Sequence, residues 1–409
     1  MRDIKTIRTL IEKKLSGKAE DVSVVEVVDL FIEYAYSSRA SDIHIEPTAE
    51  TVRLRFRIDG ILRDILEKGI PKIIHQEFIS RIKVLSGLRT DEHLLPQDGR
   101  FRVEIEGFGN VDVRVSIMPT YYGENAILRI LAETSSFSIE DLGFAKKDLE
   151  KVKREMTKPY GMILANGPTG SGKTTTLYTI LKKLNSPEVS IITIEDPIEY
   201  SLEGTTQIQV DNKVGLTFAN GLRSILRQDP NVVMVGEIRD QETADIAVNA
   251  SLTGHLVLST LHTNDAATTF PRLIDMGVPP FLAASTVNIA MGQRLVRTIC
   301  QKCKSGRSMN KEELSSLKEI IPEIGDTKTF YVGVGCDKCG NTGYEGRIGI
   351  REVLEIDEKI RDLIMSRASS QQIKEAAVRA GMTTMLQDGL EKAKQGITTI
   401  EEVLRIIHE

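Results

Sequence analysis

The hydrophobic and polar positions follow two different periods in the first third of the chain. Up to about residue 39, apolar residues recur near a helical period, which predicts helix. From Thr51 to Asp64 apolar and polar residues alternate around Asp59-Gly60, which predicts a β-hairpin. The elements predicted next are a helix and two alternating segments, at residues 71–85, 101–105 and 111–117. We therefore place a small α+β domain at residues 23–131, after a short N-terminal segment, 1–22.

The pattern changes after a polar, serine-rich stretch, which we interpret as a linker at residues 132–150. Beyond it, short apolar runs alternate with helical patterns, as in a parallel α/β sheet. The predicted strands are Gly161–Ala165, Ser190–Ile194, Asn231–Val235 and His255–Ser259. We therefore predict an α/β domain at 151–299, a cysteine-containing module at 300–345 and a C-terminal helical region at 346–409.

Composition and charge narrow the class of protein. The chain has 409 residues, of which 41% are hydrophobic and 27% are charged, as is typical of folded globular domains. Its formal net charge of -5 provides no overall positive field to attract nucleic acid. No apolar run reaches the roughly 18 residues of a membrane span, and the N-terminus lacks the apolar core of a signal peptide, so we expect a cytoplasmic protein.

A phosphate-binding loop follows the first predicted strand of the α/β domain. Residues 167–174 match G-x-x-x-x-G-K-S/T at each required position, between an apolar run and a helical pattern. Its glycines let successive backbone N–H groups face one concavity at a helix N-terminus, where phosphate binds. A glycine-rich turn that binds nothing is the alternative, and the flanking elements argue against it. The residues expected to bind ATP are Gly167, Pro168, Thr169, Gly170, Ser171, Gly172, Lys173, Thr174 and Thr175.

Two acidic residues stand at the ends of predicted strands, where ATP hydrolysis needs carboxylates for the metal and the attacking water. Glu237 follows the run 231–235, and Glu195 follows the run 191–194. Ligands of parallel sheets bind at the carboxyl ends of the strands, so both side chains are expected near the nucleotide. We expect Glu195 to position the attacking water. Glu237 and the threonine of the phosphate loop are expected to hold the Mg²⁺ ion. An N-cap or a solvated loop acid is the ordinary alternative for each acid.

Two of the six histidines, His255 and His262, lie within the segment 253–263. At the end of a strand an imidazole can donate to a γ-phosphate or sense its charge. A histidine of the core is more often only hydrogen-bonded in place, and this alternative is stronger for His255 than for His262. The candidate catalytic residues are therefore Glu195, Glu237, Lys173 and His262, with Lys173 placed on the β- and γ-phosphates.

The four cysteines form two C-x-x-C pairs, Cys300/Cys303 and Cys336/Cys339, separated by a 32-residue spacer. Two such pairs supply four thiolates for tetrahedral Zn²⁺. The spacer exceeds the roughly 15 to 20 residues of the common pattern, so reduced structural thiols or a redox pair stay open as alternatives. Four cysteine ligands leave no open coordination position, so the zinc is expected to be structural.

With these segments in view, the chain resembles the secretion ATPase superfamily, and within it the hexameric motors of type II secretion and type IV pilus assembly. The resemblance extends from about Ser23 to the C-terminus. It rests on a Walker A loop, an aspartate box, a Walker B segment and a histidine box, at residues 167–174, 193–199, 229–239 and 253–263. It implies a RecA-like P-loop ATPase core, a smaller PAS-like N-terminal α+β domain, a tetracysteine zinc module and a helical C-terminal tail.

The resemblance also implies a function and partners. It implies a cytoplasmic homohexamer that hydrolyses ATP with Mg²⁺ and acts through an inner-membrane platform protein to add pilin or pseudopilin subunits. The ring is expected at the inner face of the cytoplasmic membrane, held there by its partners. Retraction motors of pili resemble this chain in the core but typically lack the cysteine module, which favours assembly or secretion. Relatives often carry an extra N-terminal domain, whereas about 20 residues precede the shared region here, so the docking mode stays open.

The resemblance adds arginines to the implied site. Arg100, Arg114 and Arg129 match positions of the N-terminal domain whose cations close over the γ-phosphate and neutralise transition-state charge. A solvated strand or helix face is the alternative for each. Further arginines that match family positions, and that subunit contacts would also explain, are Arg223, Arg227 and Arg239.

A second group of metal-ligand types lies near the N-terminus. Asp42, His44 and Glu46 share one face of a predicted strand. Polar strand faces are common, and the resemblance marks this segment as a structural element, so we predict no metal there.

Three other functions stay open. A DNA-uptake or conjugation motor needs a basic, aromatic-lined channel, and the acidic net charge and 5% aromatic content argue against it. A nucleotide-binding subunit without turnover is disfavoured by the presence of both Glu195 and Glu237. A retraction motor is disfavoured by the cysteines.

Overall fold

A computed structural model describes residues 4–17, 22–105, 107–131, 137–320, 324 and 329–408. By its contacts the chain divides into two units, Met1–Ser135 and Ser136–Glu409. Residues 18–21 of the predicted N-terminal segment and residues 132–136 of the predicted linker lie outside the described residues. The finer domain bounds stay predictions.

The first unit begins with two helices where the sequence predicted helix. They are α1 (Ile4–Leu15) and α2 (Val24–Ser37), and the third helix of the unit is α3 (His75–Leu85), which a 3-10 turn at Lys72–Ile74 precedes. The apolar face of α2 buries Val27, Val28 and Phe31. Phe31 stacks on Phe78 of α3, with 5.6 Å between the ring centroids, so the helices share one core.

An antiparallel sheet completes the first unit. Its strands are β1 (Ala40–Pro47), β2 (Thr51–Ile58), β3 (Ile61–Asp64), β4 (Ile70–Pro71), β5 (Gln97–Ile105), β6 (Gly109–Thr120) and β7 (Gly123–Leu131). In the described residues the order is β3-β2-β1-β7-β6-β5, with β4 beside β2. The predicted hairpin is confirmed, because Ile58 pairs with Ile61 while Asp59 and Gly60 turn with φ of 50° and 86°.

A mainly parallel sheet forms the centre of the second unit. The strands of this unit are β8 (Gly161–Asn166), β9 (Ile191–Glu195), β10 (Thr206–Gln209), β11 (Val232–Val235), β12 (Leu256–Leu261), β13 (Val287–Ile299), β14 (Lys304–Ser308), β15 (Thr329–Gly333) and β16 (Tyr344–Glu355). The described sheet has the order β10-β9-β11-β12-β8-β13-β16, in which only β16 is antiparallel to its neighbour. β14 and β15 pair separately.

Helices cover this sheet and form the end of the chain. They are α4 (Lys146–Met156), α5 (Lys173–Leu184), α6 (Phe218–Ile225), α7 (Gln241–Leu252), α8 (Thr269–Asp275), α9 (Pro280–Thr286), α10 (Lys311–Ile320), α11 (Glu358–Met365), α12 (Ser370–Arg379), α13 (Met385–Lys394) and α14 (Ile400–His408). The predicted helical tail is present from Glu358 onward, whereas residues 346–355 of that predicted region belong to β16. Among the described helices, none combines the length and apolarity that crossing a membrane requires.

The strand order sets the position of the candidate site. β8, β9, β11 and β12 are parallel and adjacent, so their last residues lie at one edge of the sheet. Asn166, Glu195, Val235 and Leu261 end these strands. The phosphate-loop motif and both predicted strand-end acids therefore start from the same edge.

Candidate nucleotide site and cysteine cluster

The phosphate-loop motif forms the turn between β8 and α5. Gly167, Gly170 and Gly172 have φ of 146°, 79° and 86°, a region that residues with a Cβ rarely adopt. Gly172 is the residue before α5, so the loop ends at a helix N-terminus. This geometry fits the predicted anion site, because a helix N-terminus offers free N–H groups and a positive dipole end.

Lys173 lies over its own loop. Its Nζ donates to the carbonyl oxygens of Gly167 and Pro168, each at 2.9 Å. Burial lowers the pKa of Lys173, and the negative charge of Glu237 acts in the opposite direction. Two carbonyl groups of the loop thus hold the lysine amine against the phosphate-binding turn.

One polar atom of the loop supports a ligand there. Ser171 is 3% exposed, and among the described residues its Oγ has no hydrogen-bond partner. A buried hydroxyl without a partner is costly, and a phosphate oxygen is a suitable acceptor for it. Thr174, the predicted Mg²⁺ ligand, is partly exposed in the first turn of α5. The residues present therefore fit ATP with Mg²⁺.

Glu237 is the centre of a charged group at the sheet edge. It is 9% exposed and forms an ion pair with Arg239. His262 Nε2 lies 3.1 Å from its second carboxylate oxygen. The hydrogen bond from Arg239 to Glu237 raises the pKa of that guanidinium. The structure thus brings Glu237, Arg239 and His262 together, from the ends of neighbouring strands.

Glu195 has a different environment. Its Oε1 accepts hydrogen bonds from Thr193 Oγ1 at 2.6 Å and from Gln207 Nε2 at 3.2 Å, and its Oε2 accepts one from the Tyr178 hydroxyl. Glu195 is 3% exposed, and burial raises its pKa. The sequence reasoning missed Tyr178 and Gln207, which belong to α5 and β10 and to none of the motifs.

The two histidines of the histidine box lie at opposite ends of β12. His262 follows the carboxyl end and contacts Glu237. His255 precedes the strand, and its Nδ1 lies 3.0 Å from the carbonyl oxygen of Ala250. Only His262 therefore belongs to the edge at which the phosphate loop begins.

Three predicted arginines form a row across the sheet of the first unit. Arg100 of β5 lies directly opposite Arg114 of β6, and Arg114 lies opposite Arg129 of β7. Arg129 Nε donates to Asp42 at 2.9 Å. The register therefore places three arginines side by side, and Asp42 balances part of their charge.

The other matched residues have local partners. Arg223 of α6 pairs with Glu242 at 2.7 Å, and Arg227 donates to the carbonyl oxygen of Arg223 at 2.8 Å.

In β1, Glu46 accepts two hydrogen bonds from Arg55, at 2.9 and 2.7 Å. His44 Nδ1 is 3.4 Å from Glu46. These acids of β1 therefore take part in ion pairs of the sheet.

The four cysteine sulfurs form one cluster, all within 4.8 Å of one another. Three of the Sγ–Sγ distances are 3.8 Å (Cys300–Cys336), 3.9 Å (Cys303–Cys339) and 3.7 Å (Cys336–Cys339). Zn–S bonds of about 2.3 Å in a tetrahedron place sulfurs about 3.8 Å apart, so the cluster fits zinc. Burial raises the pKa of the Cys339 thiol, but backbone N–H donors at Cys336 and Gly343 outweigh this and lower it to about 6.

Comparison with known proteins gives consistent matches. A family described as type II/IV secretion system protein matches residues 17–405. The type IV pilus assembly ATPase PilB of Thermus thermophilus is 48% identical over 386 residues, which are 94% of this chain and 43% of that protein. The type II secretion system ATPase E of Vibrio cholerae is 46% identical over 393 residues, which are 95% of this chain and 76% of that protein. The chain thus spans less than half of the Thermus relative.

One solved structure is similar in both sequence and fold. The crystal structure of the pilus retraction motor PilT with bound ADP matches with a TM-score of 0.62 and 28% identity. The match covers 92% of this chain and 94% of that chain.

Proposed function

We propose a motor function for this chain, which belongs to the type II/IV secretion system protein family: it hydrolyses ATP to drive the assembly of pilin or pseudopilin subunits. The resemblance to secretion ATPases and the α/β fold class predicted from the sequence are confirmed by the family match and the similar structure. The observation that carries the proposal is that the Walker A motif forms a glycine-rich turn at the N-terminus of α5, with the Lys173 amine hydrogen-bonded to carbonyl groups of the loop.

The phosphate loop is proposed to hold the triphosphate through its backbone N–H groups and Lys173, with Thr174 as a ligand of Mg²⁺. Lys173 Nζ donates to the carbonyl oxygens of Gly167 and Pro168, so its amine lies against the loop. The orphaned Ser171 hydroxyl supplies a further polar contact. Bound Mg²⁺ would neutralise phosphate charge, and the residues of this chain would position it.

Glu237, in preference to Glu195, is proposed to activate the attacking water. A general base must reach the water with an accessible lone pair. Three donors bind the two oxygens of the buried Glu195 carboxylate, and none of them belongs to the phosphate loop. Glu237 contacts Arg239 and His262, whose side chains are 62% and 50% exposed, so its carboxylate lies nearer to solvent than that of Glu195. On this proposal Glu195 anchors the strand end, and Glu237 activates the water and contacts the metal through water.

The arginine row Arg100–Arg114–Arg129 is proposed to bind the nucleotide phosphates. Its strand register aligns three guanidinium groups, and guanidinium groups form strong hydrogen bonds to phosphate oxygens. Arg223 of α6 and Arg227, two residues after the end of α6, are exposed, and subunit contacts in a homohexameric ring are proposed for them.

The cysteine cluster is proposed to hold a structural Zn²⁺. Four thiolates close the coordination sphere, so the ion would stabilise the module and take no part in hydrolysis. Because retraction motors that resemble this chain typically lack such a module, the cluster favours assembly or secretion. The proposed location is the cytoplasmic side of the inner membrane, with a platform protein as partner.

Nucleotide binding and turnover test the proposal together. We expect the parent protein to bind Mg-ADP in calorimetry and to release phosphate from ATP. Lys173→Ala should lower turnover by at least about 100-fold, because it removes a charge that stabilises the transition state. Lys183→Ala is the matched control, an exposed lysine of the same helix. Absence of any Mg-nucleotide binding by the parent would refute the motor function.

A further inference from the structure

Gln293 of β13 is a buried side chain whose amide is bonded at both ends. It is 0% exposed. Its Nε2 donates to the carbonyl oxygen of Ser171 at 2.8 Å, and its Oε1 accepts from Thr176 Oγ1 at 2.9 Å. One side chain thus joins the phosphate loop to the first turns of α5. None of the motifs discussed above includes this residue.

The backbone at Gln293 also packs closely against the loop. A Cβ added to Gly167 would lie 2.4 Å from the Gln293 carbonyl oxygen, and one added to Gly172 would lie 3.4 Å from Gln293 Nε2. Glycine is therefore needed at residue 167 for close approach as well as for its φ of 146°. The backbone of β13 therefore packs directly against the phosphate loop.

We propose that Gln293 is a positioning residue for the nucleotide phosphates, an inference that rests on the proposed function. In a trans peptide the C=O and N–H point in opposite directions. By holding the Ser171 carbonyl toward β13, Gln293 directs the N–H of Gly172 away from the strand and toward the concave side of the loop. Its hydrogen bond with Thr176 fixes the beginning of α5 relative to the same strand.

A purely structural role makes a different prediction. A buried amide that only joins β13 to α5 would contribute to the stability of the fold and leave the affinity of the folded protein unchanged. A positioning role requires that the folded variant bind nucleotide more weakly. Affinity and melting temperature therefore separate the two roles.

The test compares three variants by Mg-ADP calorimetry and thermal unfolding. Gln293→Met keeps the side-chain length without the amide, and Gln293→Leu removes the amide with a shorter side chain, so neither variant adds a charge beside the phosphates. We expect both variants to bind Mg-ADP roughly tenfold more weakly, because the loss of one hydrogen bond changes a binding constant by about this factor. Thr286→Val is the control, because Thr286 is 1% exposed beside the start of β13 and bonds Leu282 at 2.7 Å, away from the loop.

Each outcome decides between the roles. A weaker affinity for Gln293→Met or Gln293→Leu, with parental affinity for Thr286→Val, supports positioning. Parental affinity for a Gln293 variant whose melting temperature falls as in Thr286→Val overturns it. If Gln293→Met does not fold, Gln293→Leu decides alone. The proposed function is tested separately. It stands if the parent protein binds Mg-ADP and Lys173→Ala does not, even when this inference fails.

Discussion

His262 and Glu237 meet at the carboxyl edge of the second unit's sheet, with 3.1 Å between His262 Nε2 and Glu237 Oε2. The two residues follow β12 and β11, which are parallel neighbours, so strand order creates the contact. The side chain of His262 is 50% exposed and that of Glu237 is 11% exposed. The imidazole therefore covers and orients the carboxylate from the solvent side.

We expect His262→Gln to lower ATP turnover by about tenfold with little change in Mg-ADP affinity, because a misoriented base loses part of its catalytic effect. The control is His255→Gln, because His255 bonds Ala250 at the other end of the same strand. Phosphate release and calorimetry measure both variants. An equal loss of turnover in both variants would contradict a specific role for His262.

The two strand-end acids should respond differently to loss of charge. Glu237→Gln is expected to lower turnover by at least about 100-fold while nucleotide binding persists, because a general base contributes roughly 10²–10⁴ in rate. Glu195→Gln is expected to lower the free energy of unfolding by about 1–3 kcal/mol, because an amide cannot accept from all three donors. Phosphate release and urea unfolding distinguish them. If Glu195→Gln has the stability of the parent but no turnover, Glu195 and not Glu237 positions the attacking water.

The arginine row predicts a conflict between stability and activity. Arg100→Gln should stabilise the nucleotide-free protein by about 0.2–1 kcal/mol at low salt, because it removes a charge directly opposite Arg114. It should also lower ATP turnover. Arg102→Gln is the control, since Arg102 lies two residues along β5 and pairs with Asp112 at 3.0 Å. Thermal unfolding and phosphate release are the measurements, and destabilisation by Arg100→Gln would contradict the prediction.

Zinc removal should affect the fold of the cysteine module more than nucleotide binding. We expect one Zn²⁺ per chain by elemental analysis, and its loss in Cys336→Ser, because three thiolates and a hydroxyl bind zinc more weakly. Chelation should lower the melting temperature while Mg-ADP still binds. A purified protein with four free thiols, no zinc and an unchanged melting temperature after chelation would exclude the structural metal.

Glu402 of α14 should make stability depend on pH. Burial acts to raise its pKa, but hydrogen bonds from Arg297 and Arg405 outweigh this and lower it to about 2, from 4.5. A lowered pKa contributes stability above the unfolded value, and this contribution is lost as pH falls from about 5 toward 2. We expect Glu402→Gln to cost about 3 kcal/mol at pH 7 and less at pH 4. Urea unfolding at both pH values tests this, and a constant difference would contradict it.

The sequence by itself determined the features that depend on neighbouring residues. The Walker A motif requires glycines at certain steps of one turn, and the structure has Gly170 and Gly172 at positive φ there. Alternation over 51–64 predicted the hairpin, and the cysteine spacing predicted a group whose sulfurs lie within 4.8 Å. Backbone φ, strand alternation and the spacing within each C-x-x-C pair are set within a few residues, whereas the contact between Cys300 and Cys336 depends on the fold.

The tertiary structure alone decided how distant segments meet. Glu195 and Glu237 look alike in sequence, each at the end of an apolar run, but Tyr178 and Gln207 bind Glu195, whereas Arg239 and His262 contact Glu237. β13 was not predicted, because polar residues interrupt its apolar pattern, and Gln293 among them finds its partners 117 and 122 residues away. Strand order and register create such contacts, and no local period of the sequence encodes them.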